Sequence, residues 1–276
     1  MASMKKNFKR ITPPSIWRMF SDTHYALGRT FQWPMATFHP WRRESIRRLA
    51  ALKNIHKGKR CFIIGNGPSL KKTDVSKLED EFTFGMNRIY LAFPEWGFKT
   101  SYLVSVNSLV IEQCYQDFQH LEIPKFFSWR SRDLLYPTGG EPDTHTHFLH
   151  TTYDGPKFAQ DITRRLWEGA TVTYVCLQLA FHLGFEKAIL IGVDHSFATK
   201  GEANKTVVSQ GDDPNHFSED YFGKGFKWQL PDLDTSELGY LRARQVFDGA
   251  GRQVIDATIG GKLTIFPKTE YDALFL

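Results

Sequence analysis

The sequence has few cysteines and no long apolar run. Its three cysteines, Cys61, Cys114 and Cys176, stand far apart inside apolar segments, which predicts reduced core thiols and argues against a disulfide framework or a zinc site. No stretch approaches the roughly 20 apolar residues of a membrane span. The N-terminus also lacks the apolar segment and cleavage site of a signal peptide. We therefore expect a cytoplasmic protein that folds without disulfides.

Neither of the common phosphate-binding loops is present. The apolar run at residues 61–64 is typical of a buried parallel strand, and Gly-Asn-Gly-Pro-Ser follows it at residues 65–69. A Walker A loop would need Gly-Lys-Ser/Thr after four spacer residues, and the dinucleotide fingerprint would need a third glycine at Leu70. The glycines still allow close approach to the backbone, and successive N–H groups could converge on an anion. A tight turn that binds no ligand is the alternative interpretation.

Negative charge is scarce at the N-terminus. Residues 1–60 carry 14 Lys and Arg against Asp22 and Glu44, a net charge of +12, whereas residues 61–276 carry 21 against 28, a net charge of −7. The basic segment also contains the aromatic residues Trp17, Phe20, Tyr25, Phe31, Trp33, Phe38 and Trp41. Basic residues mixed with aromatics are typical of a segment that lies on an anionic membrane surface. Packing on the rest of the chain or on a homo-oligomer partner is the second interpretation, and a nucleic-acid partner is not expected because no RNA-reading motif is visible.

From Arg60 onward the sequence alternates between strand and helix patterns. Apolar runs predict strands over 60–65, 82–86, 101–106, 124–128, 187–193 and 252–257. Three- and four-residue spacing of apolar residues predicts helices over 108–121, 171–184 and 236–249. This alternation predicts an α/β fold with a doubly wound, mostly parallel sheet and a Rossmann-like nucleotide-binding half. We expect an extension over residues 1–58, a domain over 59–276 and a lid loop over about 205–232.

Polar residues follow the predicted strands, where ligands bind in such sheets. The strand-end segments are Asn87-Arg88, Asn107-Ser108, Trp129-Arg130 and Asp194-His195-Ser196, in addition to residues 65–69. A single asparagine after a strand is usually a cap or a turn residue. Five polar strand ends together favour a ligand-sized polar floor.

The segment 211–232 is long, rich in Gly, Pro and Asp, and contains His216, Tyr221, Lys224 and Trp228. Loops of this length inside a compact domain are often functional lids. His216 is either a surface histidine or a general base, the role that histidine fills best near neutral pH. Asp232 and Asp234 form an Asp-x-Asp pattern, which we interpret as a helix cap because a helix is predicted to start near Thr235.

Three segments resemble a known family: IIGNGPSL with FTFGMNRIYL, ATVTYVCLQLAFHLGFEKAILIGVDHSF, and DDPNHFSEDYFGKGF. They look like the MptE-like family, named after the archaeal 6-hydroxymethylpterin diphosphokinase, which includes the glycosyltransferase domains of motility-associated factors. The same segments are similar to the bacterial sialyltransferases of glycosyltransferase family forty-two, whose fold is a GT-A-like variant. The resemblance covers residues 60–265.

The resemblance implies a site for a CMP-activated sugar, with no cofactor required. By correspondence, Gly65, Asn66, Gly67, Pro68 and Ser69 would hold the phosphate and ribose, with polar contacts from Asn87, Arg88, Asn107 and Ser108. Thr171 and Thr173 would lie beside the donor sugar and base. His216 falls where the sialyltransferases place their catalytic histidine.

One departure from the sialyltransferases concerns the leaving phosphate. Those enzymes follow their strand-end aspartate with tyrosines, whereas this chain has His195 after Asp194. Tyr221, Lys224 or His195 would therefore replace the tyrosines. Asp194 beside His195 would favour the protonated imidazole, which suits contact with a leaving group.

We accordingly expect a glycosyltransferase that moves a sialic acid-like nonulosonate or a Kdo-like sugar from CMP to a glycan or glycolipid acceptor. His216 is the expected base, with His195 and Asp194 as further catalytic residues. A pterin-type diphosphokinase, which would use ATP and Mg²⁺, is the second hypothesis. A nucleotide-binding scaffold without turnover is the third.

Overall fold

The computed structural model describes residues 33–153, 155, 157–199 and 201–276. Residues 44–276 form one compact unit, and the residues up to Arg43 belong to another. Most of the predicted extension, including Trp17, Phe20, Tyr25 and Phe31, lies outside the described residues. Within its described part, Trp33 and Phe38 are 51% and 64% exposed.

The sheet has eight parallel strands in the order β10-β7-β1-β2-β3-β4-β5-β6. Its strands and the separate antiparallel hairpin β8-β9 are β1 Arg60–Ile64, β2 Thr83–Met86, β3 Tyr102–Ser105, β4 Lys125–Ser128, β5 Thr146–Thr152, β6 Arg165–Trp167, β7 Lys187–Ile191, β8 Thr206–Val208, β9 Lys227–Gln229 and β10 Gln253–Asp256. All six predicted strands are confirmed. β5, β6 and the hairpin were not predicted.

From residue 40 onward, the α-helices are α1 Pro40–Ala51, α2 Phe93–Trp96, α3 Ser108–His120, α4 Arg132–Leu135, α5 Val172–Leu183 and α6 Leu233–Gly249. Short 3₁₀ turns occupy Pro68–Lys72, Val75–Leu78, Ile89–Ala92, Trp129–Ser131 and Asp272–Phe275. The doubly wound, Rossmann-like prediction is therefore confirmed. The helical structure directly after β1 is the short 3₁₀ helix Pro68–Lys72.

Every residue of helix α5 is buried. Two of its polar side chains form hydrogen bonds to the surrounding backbone. Gln178 accepts hydrogen bonds from the Ala159 and Trp167 N–H groups, and His182 Nε2 lies 2.8 Å from the Leu49 carbonyl oxygen. The three cysteines are buried and free, as predicted. The apolar sequence of α5 thus fixes its N-terminus over the strand ends.

Strand order reverses between β1 and β7. On one side of β1 the strands follow in sequence order from β2 to β6, whereas β7 and β10 lie on the other side. Ile64 pairs with both Gly85 and Ile191, so the carboxyl ends of β1, β2 and β7 are level. Parallel sheets bind ligands in the crevice at such a switch point.

None of the helices in the described ranges is long and apolar enough to cross a membrane.

Candidate functional site

A cavity of about 230 Å³ lies at this switch point. Its walls come from the segments after β1, β2, β3 and β7, from the N-termini of α5 and α6, and from the predicted lid. Of the sequence-predicted site residues, it is lined by Gly65, Asn66, Gly67, Asn87, Asn107, Thr171, Thr173, Asp194, His195, His216 and Tyr221. The remaining ones, Pro68, Ser69, Arg88, Ser108 and Lys224, do not line it.

The two glycines after β1 pack against the segment after β7. The Gly65 N–H donates to the Ile191 carbonyl oxygen at 2.7 Å, and the Gly67 N–H donates to the Gly192 carbonyl oxygen at 2.9 Å. A Cβ atom on Gly65 would lie 2.2 Å from the Gly192 oxygen. These glycines are thus required for the close approach of two backbone segments.

The carboxylate of Asp194 occupies the position expected for a ligand anion. It accepts hydrogen bonds from the Ser69 N–H at 3.1 Å and from Ser69 Oγ at 2.7 Å. A Cβ atom on Gly67 would lie 1.8 Å from Asp194 Oδ2. The expectation that the N–H groups of Gly65, Gly67 and Ser69 face a ligand is therefore wrong in this structure, because protein oxygens already occupy them.

Asn66 is the residue of this turn that offers a group to the cavity. Its Nδ2 donates to the Met86 carbonyl oxygen at 3.1 Å, and its own carbonyl oxygen accepts from the Phe217 N–H at 2.8 Å. Its Oδ1 is buried and has no partner among the described residues. A buried acceptor without a partner is costly. A hydroxyl or amine of a ligand would satisfy it.

Asn87 and Asn107 complete the polar floor but are partly used by the fold. Asn87 adopts a positive φ of 49°, and its Oδ1 accepts from Ser105 Oγ at 3.0 Å. Asn107 caps α3, where its Oδ1 accepts from the Leu109 N–H at 2.9 Å. Both side chains thus combine the expected turn or cap role with a place on the cavity wall.

Three helix N-termini meet the cavity. Asn107 and Val110 of α3, Thr171 to Thr173 of α5, and Asp232 and Ser236 of α6 line it. Thr171 caps α5 through a hydrogen bond from the Thr173 N–H at 3.3 Å. The N-terminal ends of helix dipoles attract negative charge. No lysine or arginine lines the cavity among the described residues. The N-termini of α3 and α5 therefore contribute positive potential, whereas the N-terminus of α6 carries the Asp232 carboxylate.

Tyr240 of α6 adds a hydrogen-bond donor to this wall. Its hydroxyl lies 3.4 Å from Thr171 Oγ1. Burial raises the pKa of Tyr240, so the phenol stays protonated at neutral pH. Tyr240 was not among the predicted site residues, since its apolar spacing within α6 indicates only a core position.

The predicted lid is packed onto the sheet rim. Tyr221, Phe222 and Trp228 are all buried. Arg88 Nη1 donates to the Asp220 carbonyl oxygen at 3.1 Å and also to the Tyr221 carbonyl oxygen. Arg88 therefore links the lid to the end of β2 by hydrogen bonds. Lys224 is exposed on the lid and does not line the cavity.

His216 forms a dyad with Asp213 on this lid. His216 Nδ1 lies 2.7 Å from Asp213 Oδ2, and the imidazole stacks on the Tyr221 ring at 4.0 Å between centroids. Asp213 is buried and also accepts from the Asn215 N–H at 3.0 Å. A carboxylate at Nδ1 fixes the ring and leaves Nε2 as the basic atom. Asp213 was not predicted as a site residue, although an aspartate three residues before His216 is close enough in sequence to be its partner.

His195 forms a second histidine–carboxylate pair at the cavity. Its backbone has a positive φ of 52°, and its Nε2 lies 2.8 Å from Glu237 Oε1 of α6. The prediction that Asp194 is the carboxylate partner of His195 is wrong, because the Asp194 carboxylate accepts hydrogen bonds from Ser69. Glu237 is 42 residues away in sequence, so no local pattern reveals it.

Asp232 is a helix cap, as predicted. Its Oδ1 accepts from the Thr235 N–H at 3.0 Å and its Oδ2 accepts from Thr235 Oγ1 at 2.9 Å. Asp234 is exposed in the first turn of α6. Within the described part of the chain, no three His, Cys, Asp or Glu side chains cluster as metal ligands.

Comparison with known proteins gives one family. The model of the family described as 6-hydroxymethylpterin diphosphokinase MptE-like matches residues 42–200. No curated protein shows significant similarity to the chain. Among solved structures, the chain is similar to the structure of MAf glycosyltransferase from Magnetospirillum magneticum AMB-1, with a TM-score of 0.48 and 16% identity. The match covers 84% of this chain but only 39% of the other.

Proposed function

The chain belongs to the 6-hydroxymethylpterin diphosphokinase MptE-like family, and from this premise we propose that it is a glycosyltransferase. The proposed reaction transfers a sialic acid-like nonulosonate or a Kdo-like sugar from a CMP-activated donor to a glycan or glycolipid acceptor. The observation that carries the proposal is the His216–Asp213 dyad beside a polar cavity at the switch point of the sheet.

The dyad supplies what a glycosyl transfer needs from the protein. The acceptor hydroxyl loses its proton as its oxygen attacks the anomeric carbon, and His216 Nε2 receives that proton. The bond between the anomeric carbon and the phosphate oxygen breaks, and its electron pair leaves with CMP. Asp213 keeps the imidazole in one orientation while this happens.

The leaving CMP carries a single phosphate, which matches the electrostatics of the cavity. The N-termini of α3 and α5 favour a monophosphate or the donor carboxylate without a cationic side chain. His195 contacts the leaving phosphate in this proposal, in place of the tyrosines of the sialyltransferases. Asn66 Oδ1 accepts a hydrogen bond from a ribose, sugar or base donor group.

A pterin-type diphosphokinase is less well supported by the lining residues. Diphosphate transfer from ATP needs carboxylates that hold Mg²⁺. The two carboxylates that line the cavity are engaged in the fold, Asp194 with Ser69 and Asp232 with Thr235. Because neither carboxylate is free to hold Mg²⁺, the lining residues favour a monophosphate ligand over ATP with Mg²⁺.

Thermal shift measurements separate the two activities. CMP, CDP, ATP and pterin are each added with and without Mg²⁺. A ligand at 100 times its dissociation constant stabilises the fold by about 2.7 kcal/mol. Stabilisation by CMP that does not depend on Mg²⁺ supports the transferase. Stabilisation only by ATP with Mg²⁺ contradicts it.

We also propose that residues 1–58 bind an anionic membrane surface on the cytoplasmic side. The support is the net charge of +12 over residues 1–60 and the exposure of Trp33 and Phe38 in the described part. Attraction of basic residues to anionic lipid and burial of aromatic rings at the interface act together. The proposed enzyme would then meet a membrane-bound acceptor.

A further inference from the structure

We propose that Glu237 is a positioning residue that holds His195 against the cavity, so that one reaction uses two separate histidine–carboxylate dyads. This inference rests on the proposed function and extends it to a residue outside the sequence prediction. It assigns acceptor deprotonation to His216–Asp213 and contact with the leaving phosphate to His195–Glu237.

The geometry of the second dyad is specific. His195 Nε2 lies 2.8 Å from Glu237 Oε1, and only 8% of the His195 side chain is exposed, against 52% of the Glu237 side chain. The imidazole meets the Tyr240 ring edge to face, at 6.1 Å between centroids. The ring is therefore confined between the cavity and α6, with Glu237 on its solvent side.

This hydrogen bond also determines which imidazole atom can meet a ligand. With Nε2 directed at Glu237, Nδ1 is the ring nitrogen for which the described residues provide no partner. His195 lines the cavity together with Asp232, Ser236 and Tyr240 at the start of α6. A ligand phosphate in the cavity beside His195 would thus meet Nδ1.

The nearby aspartate cannot perform this task. Asp194 precedes His195 directly, but its Oδ2 accepts a hydrogen bond from Ser69 Oγ at 2.7 Å. The other charged groups at this wall are Asp232, which caps α6, and Glu237 itself. Glu237 is therefore the carboxylate that orients His195.

Exposure of Glu237 gives the dyad a route to solvent. The carboxylate is half exposed while the imidazole is almost fully buried. With the phosphate bound and the ring carrying a proton taken from solvent, Nδ1–H donates a hydrogen bond to a phosphate oxygen while Nε2–H stays on Glu237. No proton passes to the phosphate: CMP leaves with the electron pair of the broken bond, and the acceptor proton goes to His216 Nε2.

The test combines Glu237→Ala, Glu237→Gln and His195→Ala in the full chain. Glu237→Ala removes the hydrogen bond and is expected to lower transfer from the CMP-activated donor by about 10-fold. Glu237→Gln keeps an acceptor oxygen for Nε2–H, so it should recover most of that loss. In a His195→Ala background, Glu237→Ala should have no further effect, because residues that act as a unit are not additive.

Asp248→Asn is the matched control, since it removes one carboxylate from the other end of α6. Its side chain is 58% exposed, similar to Glu237, and lies outside the cavity lining. Transfer by this variant should equal that of the wild type. Additive losses in the double variant, or equal losses in Glu237→Gln and Glu237→Ala, would overturn the proposal.

A second readout does not depend on activity. Side-chain ¹⁵N NMR of the unliganded protein should show His195 as the Nε2–H tautomer, with the signal assigned by its loss in His195→Ala. Glu237→Ala should produce a mixture of tautomers. An unchanged tautomer overturns the inference even if transfer occurs. A changed tautomer without any transfer activity keeps the pair and refutes the proposed function.

Discussion

Gly67→Ala tests the contact between the segments after β1 and β7. The new Cβ atom would lie 1.8 Å from Asp194 Oδ2 and 2.9 Å from the Gly192 carbonyl oxygen. The carboxylate must then leave its position and lose its hydrogen bonds from Ser69 N and Ser69 Oγ. The substitution therefore acts on the fold before any ligand is present.

The expected cost follows from those two bonds. Each hydrogen bond to a charged group is worth about 1.5–3 kcal/mol, and the released carboxylate regains water because Asp194 is only partly buried. We therefore take the lower end and expect the free energy of unfolding to fall by about 3 kcal/mol. For a domain of this size the melting temperature should fall by about 6–12 °C.

Urea and thermal unfolding of unliganded protein measure this change. Gly249→Ala is the control, because no heavy atom would lie within 4 Å of its Cβ. In an Asp194→Ala background, Gly67→Ala should cost only about 1 kcal/mol, since the Gly192 oxygen is the remaining close neighbour. If Gly67→Ala keeps wild-type stability and loses only ligand binding, the turn is a ligand cradle and our interpretation is refuted.

Three further predictions concern the cavity and the basic segment. His216→Ala should lower turnover by about 10²–10⁴-fold with little change in CMP affinity, measured by calorimetry, whereas His195→Ala should weaken CMP binding as well. The opposite pattern would exchange the two roles. Asn66→Ala removes the buried acceptor without a partner and should weaken donor binding by about 0.5–1.5 kcal/mol; unchanged affinity would show that Oδ1 meets no ligand. The intact chain should sediment with anionic vesicles at low salt and dissociate as salt rises, because screening acts over about 10 Å at 0.1 M, and equal sedimentation of a chain beginning at Lys59 would contradict the membrane proposal.

The sheet could be predicted where its strands are continuous apolar runs. Residues 61–64 and 188–191 are all buried, and such strands have a clear sequence pattern. β5, Thr146–Thr152, was missed because histidines and threonines interrupt its apolar residues. β6, Arg165–Trp167, has only three residues, too few for any periodicity.

The site could be predicted in its residue types but not in its pairings. Polar strand ends predicted the cavity wall correctly for Asn66, Asn87 and Asn107. The bond between Ser69 and Asp194 joins residues 125 apart in sequence, and the bond between His195 and Glu237 depends on where α6 packs. Such contacts arise from tertiary structure, which is why the turn after β1 looked like a free anion site.

The central claim is that the cavity transfers an acidic sugar from CMP. The most direct measurement is CMP release from a panel of CMP-activated nonulosonates and Kdo-like sugars, in the presence of EDTA and with a mixed glycan acceptor. We predict CMP release from at least one donor at an EDTA-independent rate. No release from any donor, together with Mg²⁺-dependent conversion of ATP to AMP in the presence of a pterin, would contradict the account.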